Sequence, residues 1–323
     1  MIKLQQSAYN TLGKVTPGLV EADNKQKDRV MRVGMCGTGK MGAAIAQRLK
    51  SCGHDITVWN RSTAKTQPLA ALGANVAESP AALCEACDVI ISMVLDDNAL
   101  DAVYRGAGGI LSANLSGRLV IDMSTVLPAT EEAIAAEIKA KGAAFVECPV
   151  GGTVGPAREG KLFGLMGGAE ADVLRARPIL EQLCRRIEHV GAPGAGARLK
   201  LAINLPLLVY WQSLGEALAL CRPLGLPPDR LVDIMADTSG AATAMRNRAP
   251  DVARALAGQL PPTASFDVRA ALKDLSTMVA YARTLSLDLP TAAVALKSFN
   301  DAAANGLADK DVIAVPARWA TGQ

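Results

Sequence analysis

The sequence predicts an α/β fold: a doubly wound parallel sheet over residues 30–193, followed by an all-helical region over 194–323. Three observations predict it. Strand-length apolar runs alternate with helix-length segments from Val30 to Val190, and such alternation implies parallel strands joined by crossover helices. Two of the runs, Val89-Ile90-Ile91 and Leu119-Val120-Ile121, are apolar throughout, as strands covered on both faces are. Past the glycine-rich stretch Gly191–Gly196 no convincing strand remains, so that stretch is the expected boundary between two domains.

The first strand is the apolar run Val30–Cys36, and Met41–Leu49 follows as a helix with apolar residues at 41, 45 and 49. Between them Gly37, Gly39 and Gly42 fall in the order G-x-G-x-x-G. Gly37 permits a tight turn, Gly39 leaves room for a pyrophosphate, and Gly42 lets the helix pack on the strand. The helix start aims free N–H groups at the phosphates. These features describe a Rossmann-type dinucleotide-binding domain, with Gly37, Thr38, Gly39, Lys40, Met41 and Gly42 as its phosphate turn. The second strand, Asp55–Trp59, ends in Asn60-Arg61-Ser62. NAD-preferring sites usually place an acid here to hold the ribose 2′-hydroxyl. None is present, and an amide, a guanidinium and a hydroxyl suit a 2′-phosphate instead. The sequence therefore favours NADP(H) over NAD(H). The other reading of Arg61 is a solvated surface residue.

The remaining elements follow in order. A helix over Thr63–Leu72 leads to a short strand Ala74–Ala77 and a helix opened by Ser79-Pro80, with Ser as cap and Pro in the first turn. Strand Asp88–Val94, helix Asn98–Tyr104, strand Arg118–Met123, helix Pro128–Lys141 and strand Ala143–Cys148 come next. Strand Lys161–Met166, helix Ala171–Leu183 and strand Arg186–Val190 extend the sheet. In the second half Arg198–Leu220 reads as one long helix, with further helices near 228–237, 250–258, 268–286 and 290–305.

Composition narrows the function. The chain has 323 residues, half of them hydrophobic, enough for two domains with sizeable cores. A net charge of +3, spread along the chain, does not suggest a nucleic acid or an anionic membrane as partner. The apolar stretches fall short of a membrane span. Residues 1–29 are polar, mixed in charge and without a signal-peptide core; they read as a flexible extension. Seven scattered cysteines include one close pair, Cys84 and Cys87, with neither a second pair nor histidines beside it. No metal site is expected, and reduced thiols in a cytoplasmic protein fit. The two histidines, His54 and His189, lack the neighbours of a positioned general base, so a proton must come from another residue.

Lys200 and Asn204 are that candidate. They stand four apart on the long helix, on one face and one turn from each other. A lysine beside a nicotinamide can protonate a carbonyl oxygen as hydride reaches the carbon, and an amide can hold both substrate and lysine. Burial and Arg198 could lower the lysine pKa towards neutral. Taken alone, a solvated lysine in the first helical turns explains the residue as well.

With this context the chain resembles the β-hydroxyacid dehydrogenase family, which includes 3-hydroxyisobutyrate dehydrogenases, tartronate-semialdehyde reductases and glyoxylate/succinic-semialdehyde reductases. The resemblance covers residues 30–310 in four ordered blocks: Gly37–Gly42; Glu147–Thr153 with Gly155, Gly160 and Gly167-Gly168; Gly194–Asn204; and Lys273-Asp274-Leu275. Ile56–Ser62 and Ile121–Thr125 look most like the NADPH-dependent glyoxylate/succinic-semialdehyde reductases. The resemblance implies that Lys200 donates the proton and Asn204 binds substrate beside it. It puts Met93, Val94, Leu95 and Thr125 along the cofactor, and Lys273 reaching over to it from the helical domain. It makes Gly151, Gly152 and Thr153 the loop that receives the substrate's acid group, which fits a glycine-rich turn exposing its amides.

Three departures stand out. The family usually has Ser after Pro-Val, where this chain has Gly151, which removes a hydroxyl and enlarges the pocket. Thr153 could supply the hydroxyl, as in the sulfolactaldehyde-reductase branch, but that branch has Arg where this chain has Gly152. Pro206 should kink the long helix near the site, or bend it harmlessly. Trp211, eleven residues after Lys200, shares its face and either lines the pocket or packs in the core or at a subunit contact. The reading is an NADP(H)-dependent reductase of a small carbonyl acid, a semialdehyde or 2-oxo acid, forming a homodimer or homotetramer as the family does. An imine-reductase-like enzyme and a non-catalytic NADPH-sensing module are the alternatives.

Overall fold

The computed structural model describes residues 30–322; the extension expected over 1–29 lies outside them. The chain opens with β1 (Arg32–Cys36), α1 (Lys40–Ser51) and β2 (Asp55–Trp59), and β2 returns parallel to β1 with Val33 opposite Ile56. A single turn at Thr63–Lys65 and α2 (Gln67–Ala70) replace the longer helix expected there. β3 (Asn75–Val76), α3 (Pro80–Ala86), β4 (Val89–Ser92) and α4 (Asp97–Arg105) follow, then β5 (Leu119–Asp122), α5 (Pro128–Ala140) and β6 (Ala144–Glu147). Ser79 caps α3 as read from the sequence, its hydroxyl accepting from the Ala82 N–H at 3.1 Å. The parallel strands lie in the order β3-β2-β1-β4-β5-β6. The order reverses between β1 and β4, and the crevice above their carboxyl ends is where such sheets take ligands.

The far edge departs from a purely parallel sheet. β7 (Val150–Gly151) and α6 (Val154–Glu159) turn the chain round, and β8 (Leu162–Gly168) runs antiparallel to β6 and β7. α7 (Glu170–Leu180) then returns the chain to β9 (Cys184–Gly191), parallel to β8. An apolar run reads the same in either direction, so hydrophobicity could not show this reversal. Gly151 therefore closes a strand and is not part of a loop, and Thr153 leads into α6.

The second half is helical: α8 (Ala195–Leu220), α9 (Pro228–Ala236), α10 (Thr243–Asn247), α11 (Ala249–Leu256), α12 (Val268–Thr284), α13 (Pro290–Ala302) and α14 (Ala314–Thr321). α8 is one continuous helix of 26 residues with Pro206 inside it. Neither α10 nor α14 was expected. α14 packs on α8 where Gly215 makes room, since a Cβ there would sit 2.7 Å from the Trp319 ring. Trp211, read either as a substrate contact or as core or subunit-contact packing, is 2 % exposed and packs among Leu208, Leu214 and Phe299 in the helical core, so the core reading holds in place of the substrate contact. A large apolar ring stabilises more by burial there than in an open cleft. One apolar cluster covers each face of the sheet, Ile45, Val58 and Ile121 on one side and Leu83, Tyr104 and Ile134 on the other.

Candidate active site

The turn after β1 gives each of its glycines a separate task. Gly37 has φ +98°, and a Cβ on it would lie 2.4 Å from the Met93 carbonyl oxygen. A Cβ on Gly42 would lie 1.9 Å from the Gly37 carbonyl oxygen, so the helix meets the turn in backbone contact. A Cβ on Gly39 would meet nothing within 4 Å. That open volume lies in front of α1, whose first turn has no side-chain cap and no acidic residue. Its N–H groups are left for an anion, and the turn fits the pyrophosphate of a dinucleotide.

The neighbouring loop is braced onto this turn. The Asn60 side chain accepts from the Thr38 N–H at 3.1 Å and donates to the Ser62 carbonyl at 3.0 Å. The Thr38 hydroxyl donates to the Lys65 carbonyl at 3.1 Å. Asn60, expected to face the cofactor, thus spends its amide on shaping the loop. Arg61 is exposed at the rim and makes no ion pair among the described residues. Lys65, which the sequence reading passed over, is a second exposed cation on the same loop. Lys40 reaches across the crevice instead, pairing with Asp267 at 2.9 Å. The same Asp267 caps α12 by accepting from the Ala270 N–H at 2.9 Å.

Strand ends β4 and β5 set the segment 93–95. Buried Asp122 accepts from Ser92, which also shares a 2.8 Å hydrogen bond with Tyr104, and from the Ser124 N–H at 2.8 Å. The Ser124 hydroxyl in turn accepts from the Val94 N–H at 3.0 Å. Met93 and Val94 are half-buried and Leu95 is exposed at the crevice side of these bonds.

A directional network joins the two domains. Lys200 donates to Asn204 Oδ1 at 3.1 Å, and Asn204 Nδ2 donates to Asp274 Oδ2 at 3.2 Å. The other Asp274 oxygen pairs with Lys273 at 2.6 Å, and Lys273 donates to the Thr125 carbonyl at 2.6 Å. A carboxylate only accepts, so Asp274 fixes which way the amide of Asn204 points. Lys200 is 8 % exposed and Asp274 5 %. Burial pulls the Lys200 pKa below the ordinary 10.5; Asp274 opposes this and Lys273 adds to it. Arg198, expected to share that task, turns away to Glu132 and the Tyr281 hydroxyl, because residues two positions apart on a helix face nearly opposite directions. Asp274 belongs to the block Lys273-Asp274-Leu275, which by itself assigns it no role; its contact with Asn204 spans 70 residues of chain. No hydrogen bond among the described residues joins Gly151, Gly152 or Thr153 to this network.

Two family models match the chain: the NAD binding domain of 6-phosphogluconate dehydrogenase over residues 32–191, and the NAD-binding domain of NADP-dependent 3-hydroxyisobutyrate dehydrogenase over residues 194–318. The chain is 31 % identical to glyoxylate/succinic semialdehyde reductase 2 of Arabidopsis thaliana over 97 % of this chain and 85 % of that protein. It belongs to the β-hydroxyacid dehydrogenase family. This dehydrogenase is also 33 % identical to 3-hydroxyisobutyrate dehydrogenase of Pseudomonas aeruginosa, over 83 % of its own length and 91 % of that protein's. The crystal structure of 3-hydroxyisobutyrate dehydrogenase from Salmonella typhimurium superposes with a TM-score of 0.79 at 26 % identity, covering 88 % of this dehydrogenase and 99 % of that chain. Psf3 in complex with NADP+ and 2-OPP gives 0.78 at 27 %, covering 90 % and 99 %. The chain is an NAD(P)-dependent enzyme of hydroxyacid and semialdehyde chemistry, and its first domain binds a nicotinamide dinucleotide.

Proposed function

We propose that this enzyme is an NADP(H)-dependent reductase of a small carbonyl acid, a semialdehyde or a 2-oxo acid, with Lys200 as the proton donor. The observation that carries the reading is the buried Lys200 ammonium bonded to an amide whose orientation Asp274 dictates. The nicotinamide supplies hydride to the carbonyl carbon when bound. Lys200 gives its Nζ proton to the carbonyl oxygen, and its lowered pKa eases that transfer. Asn204 holds the ammonium in place through Oδ1. Lys273, tied to Thr125, keeps the helical domain against the nucleotide domain. Gly151 in place of a hydroxyl-bearing residue leaves the acid group to backbone donors and Thr153, which suits a modest anion. The relatives named for glyoxylate and succinic semialdehyde support that substrate class.

A panel of semialdehydes, 2-oxo acids and imines, followed by NADPH consumption, tests this. Turnover of carbonyl acids is expected. Turnover of imines alone, or tight NADPH binding with no turnover, would replace the reading with one of its alternatives. Arg61 and Lys65 are the groups for the 2′-phosphate. Thermal shift is expected to show greater stabilisation by NADPH than by NADH. Arg61→Ala is expected to cost about tenfold or more in NADPH affinity, as loss of a charge-assisted hydrogen bond does, with NADH affinity unchanged. Greater stabilisation by NADH would overturn the cofactor preference.

A further inference from the structure

Glu147, at the carboxyl end of β6, is 0 % exposed and has no part in the reaction described above. Its two oxygens accept from the Gly196 N–H at 2.8 Å and the Ala197 N–H at 3.3 Å. These are first-turn donors of α8, the helix that carries Lys200 one turn later. α8 has no cap of its own, since Gly194 stands at its N-cap with φ +92° and offers no side chain. The carboxylate fits a slot made for it. A Cβ on Gly167 would lie 2.1 Å from Glu147 Oε1, and one on Gly196 would lie 3.3 Å away. The nucleotide sheet thus supplies the helix cap that the helical domain lacks.

We propose that Glu147 is a positioning residue whose carboxylate caps α8 from the sheet and thereby sets where Lys200 stands over the strand ends. This rests on the reading of Lys200 as proton donor. The groups facing Glu147 are Asp122, its direct partner on β5, buried Glu131 from α5, and its neighbour Cys148. The Arg198–Glu132 pair stands beside Gly194. Glu131 is pushed well above the carboxylate range by burial and by Asp122 and Glu147. Burial first, and then Asp122, lift Glu147 to about 7, against the pull of the Gly194, Gly196 and Ala197 N–H groups. A carboxyl raised in the fold favours folding when protonated, and that contribution fades as pH rises from 4.5 to about 7. The cap has the opposite dependence. It is complete above that value and weakens below it.

The test uses Glu147→Gln and Glu147→Asp in the full chain, with NADPH and whichever carbonyl acid of the panel is reduced fastest. Glu147→Gln is expected to lower kcat about tenfold, within the range a displaced catalytic group costs, with NADPH affinity unchanged. Parent kcat is expected to rise through about pH 7 as the cap ionises, and Glu147→Gln is expected to lack that inflection. Without ligand, hydrogen exchange at the Gly196 and Ala197 amides is expected to quicken. Glu147→Asp, charged but one methylene short, is expected to keep the inflection at a reduced kcat. Unchanged kcat, pH profile and exchange in Glu147→Gln would overturn the proposal. If that variant does not fold, an unchanged kcat in Glu147→Asp overturns it and a reduced one supports it. Turnover by Lys200→Ala would instead sink the proton-donor reading, whatever the exchange at Gly196 shows.

Discussion

Lys200→Ala is expected to reduce carbonyl turnover to below about one per cent of the parent rate while NADPH binds as before. A hundredfold loss corresponds to about 2.7 kcal/mol of transition-state stabilisation, the lower part of what a positioned acid contributes. The variant still presents the glycine turn, the Asn60 brace and Arg61, none of which touches Lys200. Loss of rate without loss of cofactor affinity therefore separates chemistry from binding. The pH dependence gives a second check. Burial holds the Lys200 pKa below 10.5, so the reduction rate should fall as pH rises through that lowered value, and oxidation of the alcohol should rise. The unfolded chain holds this proton more tightly than the fold does. Burying the charge therefore destabilises the protein below the lowered pKa, and the penalty is relieved as pH rises towards 10.5. Lys200→Met should accordingly show no loss of Tm while remaining inactive. Retained turnover above about one per cent would refute the assignment.

The second large effect concerns the glycine turn, where substitutions two residues apart should fail in different ways. Gly37→Ala puts a side chain at φ +98° and 2.4 Å from the Met93 carbonyl. Left-handed backbone costs an ordinary residue about 1–2 kcal/mol before any clash, and the carbonyl cannot yield without dragging the segment 93–95. A Tm drop of several degrees is expected, with cofactor affinity lost as well. Gly39→Ala meets no protein atom within 4 Å, so its stability should stay within about 0.5 kcal/mol of the parent, as for other unhindered surface changes. Its methyl fills the volume assigned to the pyrophosphate, and NADPH affinity should fall by at least about tenfold, or roughly 1.4 kcal/mol. Calorimetry with and without NADPH reads both. Normal affinity in Gly39→Ala would move the phosphates elsewhere.

The contrast between these glycines is legible in the sequence, because each position in G-x-G-x-x-G has its own steric reason. The parallel strands were legible too, since runs such as Val89-Ile90-Ile91 are buried on both faces. What escaped reading was what sequence-local patterns do not encode. β7 has two residues, and α6 carries Gly155 and Pro156 in its first turn, residues whose intrinsic preferences weigh against a helix. The direction of β8 leaves no trace in hydrophobicity. Lys200 and Asn204 were found because helix geometry joins residues four apart. Asp274, which orients Asn204, and Glu147, which caps the helix, act across 70 and 49 residues of chain, and only the fold brings them in. Trp211 shows the same limit from the other side: helix spacing placed it on the face of Lys200, but packing buried it in the helical core.

Lys40 and Asp267 face each other across the mouth of the crevice, with their side chains 44 % and 21 % exposed. Dissolved ions compete for such a pair and screen it within about 8–10 Å at ordinary salt. The buried links deeper in, through Thr125 and Glu147, feel this far less. Electrolyte should therefore loosen the molecule from the lip inward, so that added salt hastens the coming and going of the dinucleotide before it disturbs the proton donor beneath.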